Sequence, residues 1–192
     1  MVYLNDDTDS LDIGLALKKV SPQRREYALR YRKDSDRRLS LAVYLLLAEG
    51  LEKEYGITGP LTFSFGYHGK PYLSLYPDIH FNLSHSGRAA ICAIGEGPVG
   101  CDIESVGESL DMDLCRRCFN EQEIDSILRS EYPCLAFTQL WTRKEAFLKL
   151  SGEGLLDDLP ALFDSPGIDR VTFNTCVAPD CSYVYTVCSG PV

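Results

Sequence analysis

Three acids in the second half of the chain set the chemical question. Gly100-Cys101-Asp102-Ile103-Glu104 reads as part of a β-strand, so Asp102 and Glu104 share one face while Ile103 points into the core. Two carboxylates on one face repel each other unless protons or a cation lie between them. Such oxygen donors suit a hard divalent ion, usually magnesium. The same pair also reads as two exposed acids at a strand end. Further on, Trp141-Thr142-Arg143-Lys144-Glu145-Ala146-Phe147-Leu148-Lys149 has helical spacing, with Trp141, Glu145 and Lys149 at i, i+4 and i+8 on one face. As a solvated strip it would hold one Glu-to-Lys pair worth roughly 0.2–0.5 kcal/mol. Phe137, Leu140, Phe147 and Leu148 make the surrounding helix strongly apolar, so Glu145 is at least partly buried and needs a partner. Together Asp102, Glu104 and Glu145 supply three carboxylates, enough for a magnesium site that keeps several positions for water or phosphate oxygens.

A third candidate is His80-Phe81-Asn82-Leu83-Ser84-His85-Ser86-Gly87, which begins as a strand and ends in a small polar turn. Hydroxyls, an imidazole and a glycine in a turn can wrap a phosphate. They equally make a plain turn held by local side-chain hydrogen bonds. A fourth is charge. Of 19 basic residues, nine fall between Lys18 and Arg38, opposed there only by Glu26, Asp34 and Asp36. They read either as solvated helix faces or as a surface for an anionic client.

The elements that must position these residues follow from pattern. Ser21-Pro22 reads as an N-cap with proline at the first helical position, opening a helix to about Lys33. Ser35 is a candidate cap for a second helix ending before Gly56, with Leu39, Val43, Leu46, Leu47 and Leu51 at helical spacing. Thr62 to Phe65, Tyr72 to Leu75, His80 to Leu83, Ala89 to Ile94 and Val99 to Glu104 read as strands between Gly and Pro signals. Asn120 to Glu123 looks like a capped helix start with Glu123 reaching back. A longer helix runs from about Leu135 to Leu150 and stops at Gly152. Val171 to Asn174 and Tyr183 to Val187 would be closing strands. Each half thus holds helices and a few strands, with the boundary near Gly97-Pro98: two small α+β lobes, 1–97 and 98–192.

Composition bounds the function. The chain has 192 residues, 45% hydrophobic and 24% charged, which is ordinary for a globular protein. The most apolar run, Leu39 to Ala48, is about half of the roughly 20 residues that cross a bilayer, so no membrane partner is expected. MVYLNDDTDS carries no basic cluster and does not read as a signal peptide; a cytoplasmic location is expected. The eight cysteines read as reduced and mostly buried, and a zinc site would need Cys176 and Cys181 beside Cys115 and Cys118. A net charge of -9 argues against a nucleic-acid partner, and with it against a magnesium-dependent nuclease.

The order of these features is a basic helical segment, Gly69-Lys70-Pro71, Phe81-Asn82-Leu83-Ser84-His85-Ser86, Gly100-x-Asp102-Ile103-Glu104, and Trp141-x2-Lys144-Glu145-Ala146-x2-Lys149. It resembles the 4′-phosphopantetheinyl transferases of the Sfp type, over about Ser21 to Leu155. The resemblance implies an α+β pseudo-dimer of two similar α/β lobes, a monomer with pseudo-two-fold symmetry, with coenzyme A bound in the cleft between the lobes. It implies magnesium-dependent transfer of the 4′-phosphopantetheine arm of coenzyme A to a serine of an apo acyl or peptidyl carrier protein, releasing adenosine 3′,5′-bisphosphate.

Matched motif by motif, the resemblance implies that Asp102, Glu104 and Glu145 hold the metal and that Glu145 also serves as the base. Lys149 would be its catalytic companion and a coenzyme A contact. Ser84 and His85 would meet the coenzyme A phosphates, Lys70 the nucleotide, and Arg24 and Arg38 the 3′-phosphate. A threonine that follows the second arginine in some relatives is Leu39 here, which removes one phosphate hydrogen bond. The remaining alternative of another class is a catalytically silent module that binds coenzyme A or the carrier; the complete set of Asp102, Glu104 and Glu145 argues against it.

Overall fold

The computed structural model describes residues 1–152 and 158–191; Leu155, the far limit of the family resemblance, lies outside them. The chain divides into two compact units, Met1–Gly97 and Pro98–Val192. Both are mixtures of helices and antiparallel sheet. Among the described residues no helix is long and apolar enough to cross a membrane.

The first unit runs β1 (Val2–Asn5), α1 (Ile13–Lys19), α2 (Pro22–Leu29), α3 (Asp34–Tyr55), β2 (Phe63–Phe65), β3 (Pro71–Leu73), β4 (His80–Ser86) and β5 (Ala89–Gly95). An antiparallel sheet of order β1-β5-β4 carries the long helix α3, while β2 and β3 form a separate hairpin. The run Ala89 to Ile94 is buried residue after residue, as befits a central strand. Leu41, Leu47 and Leu51 of α3 close the core against Phe81, Cys92 and Ile94. Gly50 lets the helix settle there: a Cβ at that position would meet Ile94 Cδ1 at 2.5 Å and the Tyr3 ring at 2.8 Å.

Several boundaries differ from the sequence reading. The helix opened by Ser21 ends at Leu29, because Arg30 and Tyr31 bond back to Tyr27 and Ala28 and tighten the last turn. Lys33, not Ser35, is the N-cap residue of α3, and Asp34 and Asp36 place negative charge at the positive end of its dipole. The expected polar turn at Ser84 to Gly87 is mostly strand: Ser84, His85 and Ser86 pair with Ile91, Ala90 and Ala89, and the chain turns only at Gly87-Arg88. Strand β1 and helix α1 escaped the sequence reading. The signal for α1 was Asp12, whose carboxylate accepts from Leu15 N–H at 2.8 Å.

The second unit runs β6 (Val99–Ser105), α4 (Met112–Cys118), α5 (Glu121–Arg129), α6 (Pro133–Ser151), β7 (Thr172–Val177) and β8 (Tyr183–Ser189). Its sheet has the order β6-β8-β7, all antiparallel, with α6 packed on β6 and β8. The contact is close because Gly100 has no side chain. A Cβ there would lie 2.0 Å from the Ala146 carbonyl oxygen and 2.6 Å from the Leu150 nitrogen. A buried chain of hydroxyls reinforces it: Thr142 and Thr186 lie 2.9 Å apart, as do Thr186 and Thr175. Helix α6 ends at Gly152 in the left-handed conformation, φ 70°, the stop the sequence signals.

Asn120 and Glu123 form the expected reciprocal cap of α5. Glu123 does more than cap. Its Oε2 accepts from Asn120 N–H at 2.9 Å and from Lys144 Nζ at 2.7 Å. Lys144 is fully buried; its ammonium also donates to the carbonyls of Cys118 and Leu159, each at 2.9 Å, which satisfies all three of its protons. All eight cysteines are free thiols; five are buried, but Cys176 and Cys181 are exposed, which corrects the expectation for those two.

Two outcomes test this packing. Gly100→Ala drives a methyl into helix backbone that has no rotamer to yield, and urea denaturation should show a loss of about 3 kcal/mol or more. Lys144→Met keeps the volume but strands the Glu123 carboxylate; the same measurement should show a loss of about 3–5 kcal/mol.

Candidate active site

In the second unit, the approach of α6 to β6 brings the expected acids together. Asp102 and Glu104 lie two residues apart on β6, on the face that carries Gly100 and α6. Asp102 is buried, only 2% exposed, and Lys149 Nζ from α6 donates to its Oδ1 at 2.6 Å. Burial would pull the Lys149 ammonium toward neutrality, but the charge of Asp102 and the hydrogen bond to it outweigh this and hold the group above its ordinary value. Lys149 thus has a strand carboxylate as a partner, rather than serving only as the Glu145 companion that a surface strip would give it.

Glu145 is half-buried on the same helix. Burial pushes its carboxyl above the usual range, the charges of Asp102 and Glu104 add to the push, and Lys149 opposes it. This is the like-charge crowding that a bound cation relieves. Among the described residues, no three histidine, cysteine or carboxylate groups stand close enough to grip a metal ion on their own. That still fits magnesium, which is commonly bound by one or two carboxylates and completes its shell with water and substrate phosphate. The oxygen donors Asp102, Glu104 and Glu145 are of the right kind, with mutual repulsion that the ion would remove.

The basic and polar candidates belong to the first unit. Arg24, on α2, is half-buried among aromatic rings: its guanidinium carbon lies 5.3 Å from the Tyr27 ring centre, 5.6 Å from Tyr44 and 5.9 Å from Phe63. Nη1 donates to Ser40 Oγ at 3.2 Å, and burial lowers the pKa of the group. A cavity of about 340 Å³ opens beside it, lined among others by Gln23, Tyr27, Phe65 and Pro71. Lys70 ends the β2–β3 turn, immediately before Pro71 of that cavity wall.

Arg38 is spent in part on the fold, its Nε donating to the Leu11 carbonyl at 3.2 Å. Ser84 and His85 are neighbours on β4, so they point to opposite faces of the sheet; Ser84 is buried and His85 exposed. Within the basic stretch, Arg30 pairs with Glu26 and Arg37 with Asp34, while Arg25 holds the Leu17 carbonyl.

Sequence reasoning missed the residues that set these groups in place. For Gly100 the signal was an isolated glycine inside a strand, the mark of a close backbone approach. Tyr44 and Ser40 gave no signal, because they sit in an apolar run on α3 and their partners come from other elements.

The boxed arginine, the acidic pair on a strand and the crowded glutamate on the helix laid over it occur in that order along the chain, and the chain has relatives among known proteins. Residues 98–185 match the 4′-phosphopantetheinyl transferase superfamily. The chain is 35% identical over 159 residues to a 4′-phosphopantetheinyl transferase of Bacillus subtilis, across 80% of this chain and 70% of that one. It is 33% identical over 143 residues to 4′-phosphopantetheinyl transferase Sfp of Bacillus subtilis strain 168, across 71% and 62%. It is 34% identical over 158 residues to 4′-phosphopantetheinyl transferase gsp of Aneurinibacillus migulanus, across 80% and 65%. In these alignments the chain spans from 62% to 70% of the length of the relatives. With the motifs, the strand-and-helix acids and this likeness in agreement, the chain belongs to the 4′-phosphopantetheinyl transferase superfamily.

Proposed function

We propose that this chain transfers the 4′-phosphopantetheine arm of coenzyme A to a serine of an apo acyl or peptidyl carrier protein, with magnesium, and releases adenosine 3′,5′-bisphosphate. The observation that carries this reading is the docking of α6 on β6 at Gly100, which pairs Lys149 with the buried Asp102 on the strand face shared with Glu104. The repetition of one plan, a three-stranded antiparallel sheet with one long helix, supports two similar lobes of a pseudo-dimer.

In this mechanism Asp102, Glu104 and Glu145 would supply carboxylate ligands to magnesium, with water and substrate oxygens completing its shell, and the ion would supply positive charge for the phosphate oxygens. The carrier serine oxygen forms a bond to the phosphorus that bears pantetheine, and the bond from that phosphorus to the bridging oxygen breaks. The serine proton goes to Glu145 or to a water that it orients, since an unassisted hydroxyl is a weak nucleophile. Lys149 is ion-paired to Asp102 at 2.6 Å and would offer positive charge to the phosphates. Arg24, Arg38, Lys70 and the exposed His85 would serve the nucleotide end, with Arg24 taking the 3′-phosphate; the Ser84 side chain, buried on the other face of β4, would not share that face with His85. The rest of the basic stretch suits an acidic face of the carrier.

Incubation with coenzyme A, magnesium and an apo carrier should add the mass of the arm to the carrier; coenzyme A binding without transfer would instead mark a silent module. In single-turnover transfer at saturating magnesium, Glu145→Gln should slow the rate by about 10²–10⁴ while coenzyme A still binds. A rate within threefold of the parent would remove Glu145 from the chemistry. Asp102→Asn should raise the magnesium concentration needed for half-maximal rate. The Michaelis constant for the carrier should rise with salt, as screened charges predict.

A further inference from the structure

The environment of Arg24 is built by one residue with no part in the mechanism above. Tyr44 is 1% exposed, and its hydroxyl oxygen accepts two backbone N–H groups, Leu61 at 2.9 Å and Ser21 at 3.2 Å. Ser21 is the N-cap of α2; its hydroxyl accepts from the N–H of Arg24 itself at 3.3 Å. Leu61 leads directly into β2, the strand that carries Phe63. One phenol oxygen therefore ties down both the helix that bears the arginine and the strand that bears a wall of its box.

The Tyr44 ring forms another wall, and Ser40, one helical turn earlier on α3 and 2% exposed, accepts from the guanidinium. No acid forms an ion pair with Arg24 among the described residues. A half-buried guanidinium held by rings and one hydroxyl keeps its charge for an outside anion, whereas a carboxylate partner would have cancelled it.

We infer that Tyr44, with Ser40, is a positioning residue that fixes how Arg24 reads an anionic group in the cavity, and so sets preference for the 3′-phosphorylated coenzyme. The inference rests on the reading that Arg24 meets the 3′-phosphate. Tyr44 touches no substrate. It works by denying the α2 start and the β2 start any freedom to shift, so that the cation waits in place rather than being ordered upon binding.

The test compares coenzyme A with 3′-dephospho-coenzyme A, by calorimetric binding and by Michaelis constants, for the parent, Tyr44→Phe and Ser40→Ala. The parent should favour coenzyme A by at least about tenfold, the value of a charge-assisted contact. Tyr44→Phe keeps the ring but frees both N–H groups. It should lower that preference at least threefold, through the Michaelis constant for coenzyme A and not the turnover number, with dephospho-coenzyme A little affected. Ser40→Ala, which spares the tyrosine hydroxyl, should lower the preference in the same direction and decides the matter if Tyr44→Phe does not fold. Folded variants that keep the parent preference overturn the inference and leave the proposed function standing. A parent that binds both coenzymes equally overturns the Arg24 assignment and the inference with it, while a parent that binds neither overturns the function itself.

Discussion

A missing methyl group governs the second unit. Because Gly100 has no Cβ, the backbone of α6 lies against β6 at a distance no other residue permits. Everything charged about the site follows from that approach. Asp102 is two residues along the same strand face, so it is covered by the helix and must find a cation, which Lys149 provides. Glu145, on the covering helix, gives up part of its acidity because it is buried and, to a lesser degree, because it faces Asp102 and Glu104. The hydroxyls of Thr142, Thr186 and Thr175 lock the same contact from beneath.

The first unit solves a matching problem with the glycine on the other partner, Gly50 of α3 facing Ile94 and Tyr3. Its charge logic is the reverse. There Arg24 is gathered among aromatic rings with no acid in ion pair among the described residues, whereas in the second unit Asp102 is paired with Lys149. Each half stores a charge imbalance that a ligand of opposite sign would relieve.

What the sequence made legible was whatever is decided locally. The N-caps at Ser21 and Asn120, the stop at Gly152 and the shared face of Asp102 and Glu104 all depend on residues within four positions of each other. The error at Ser84 to Ser86 came from reading polar residues as a turn, when the apolar partners Ala89 to Ile91 across the ladder make them strand. The partners of Lys149 and Lys144 were invisible for a different reason. Asp102 lies 47 residues from Lys149, and Glu123 lies 21 from Lys144, separations that no periodicity encodes. Lys144 even stood in a recognised motif, yet nothing local distinguished a buried ammonium from a solvated one.

That buried ammonium couples four segments that are separate along the chain. The first turn of α5 is closed by Glu123, and the same carboxylate oxygen is held by a lysine of α6. The end of α4 and the stretch at Leu159 answer to that lysine as well. The cap cannot mature at full strength until α6 has docked, and the lysine cannot be dehydrated until α4, α5 and the return segment are all present. These pieces therefore open and close as one cooperative unit, and their amide protons should exchange with solvent at a common rate set by the whole assembly rather than by each short helix.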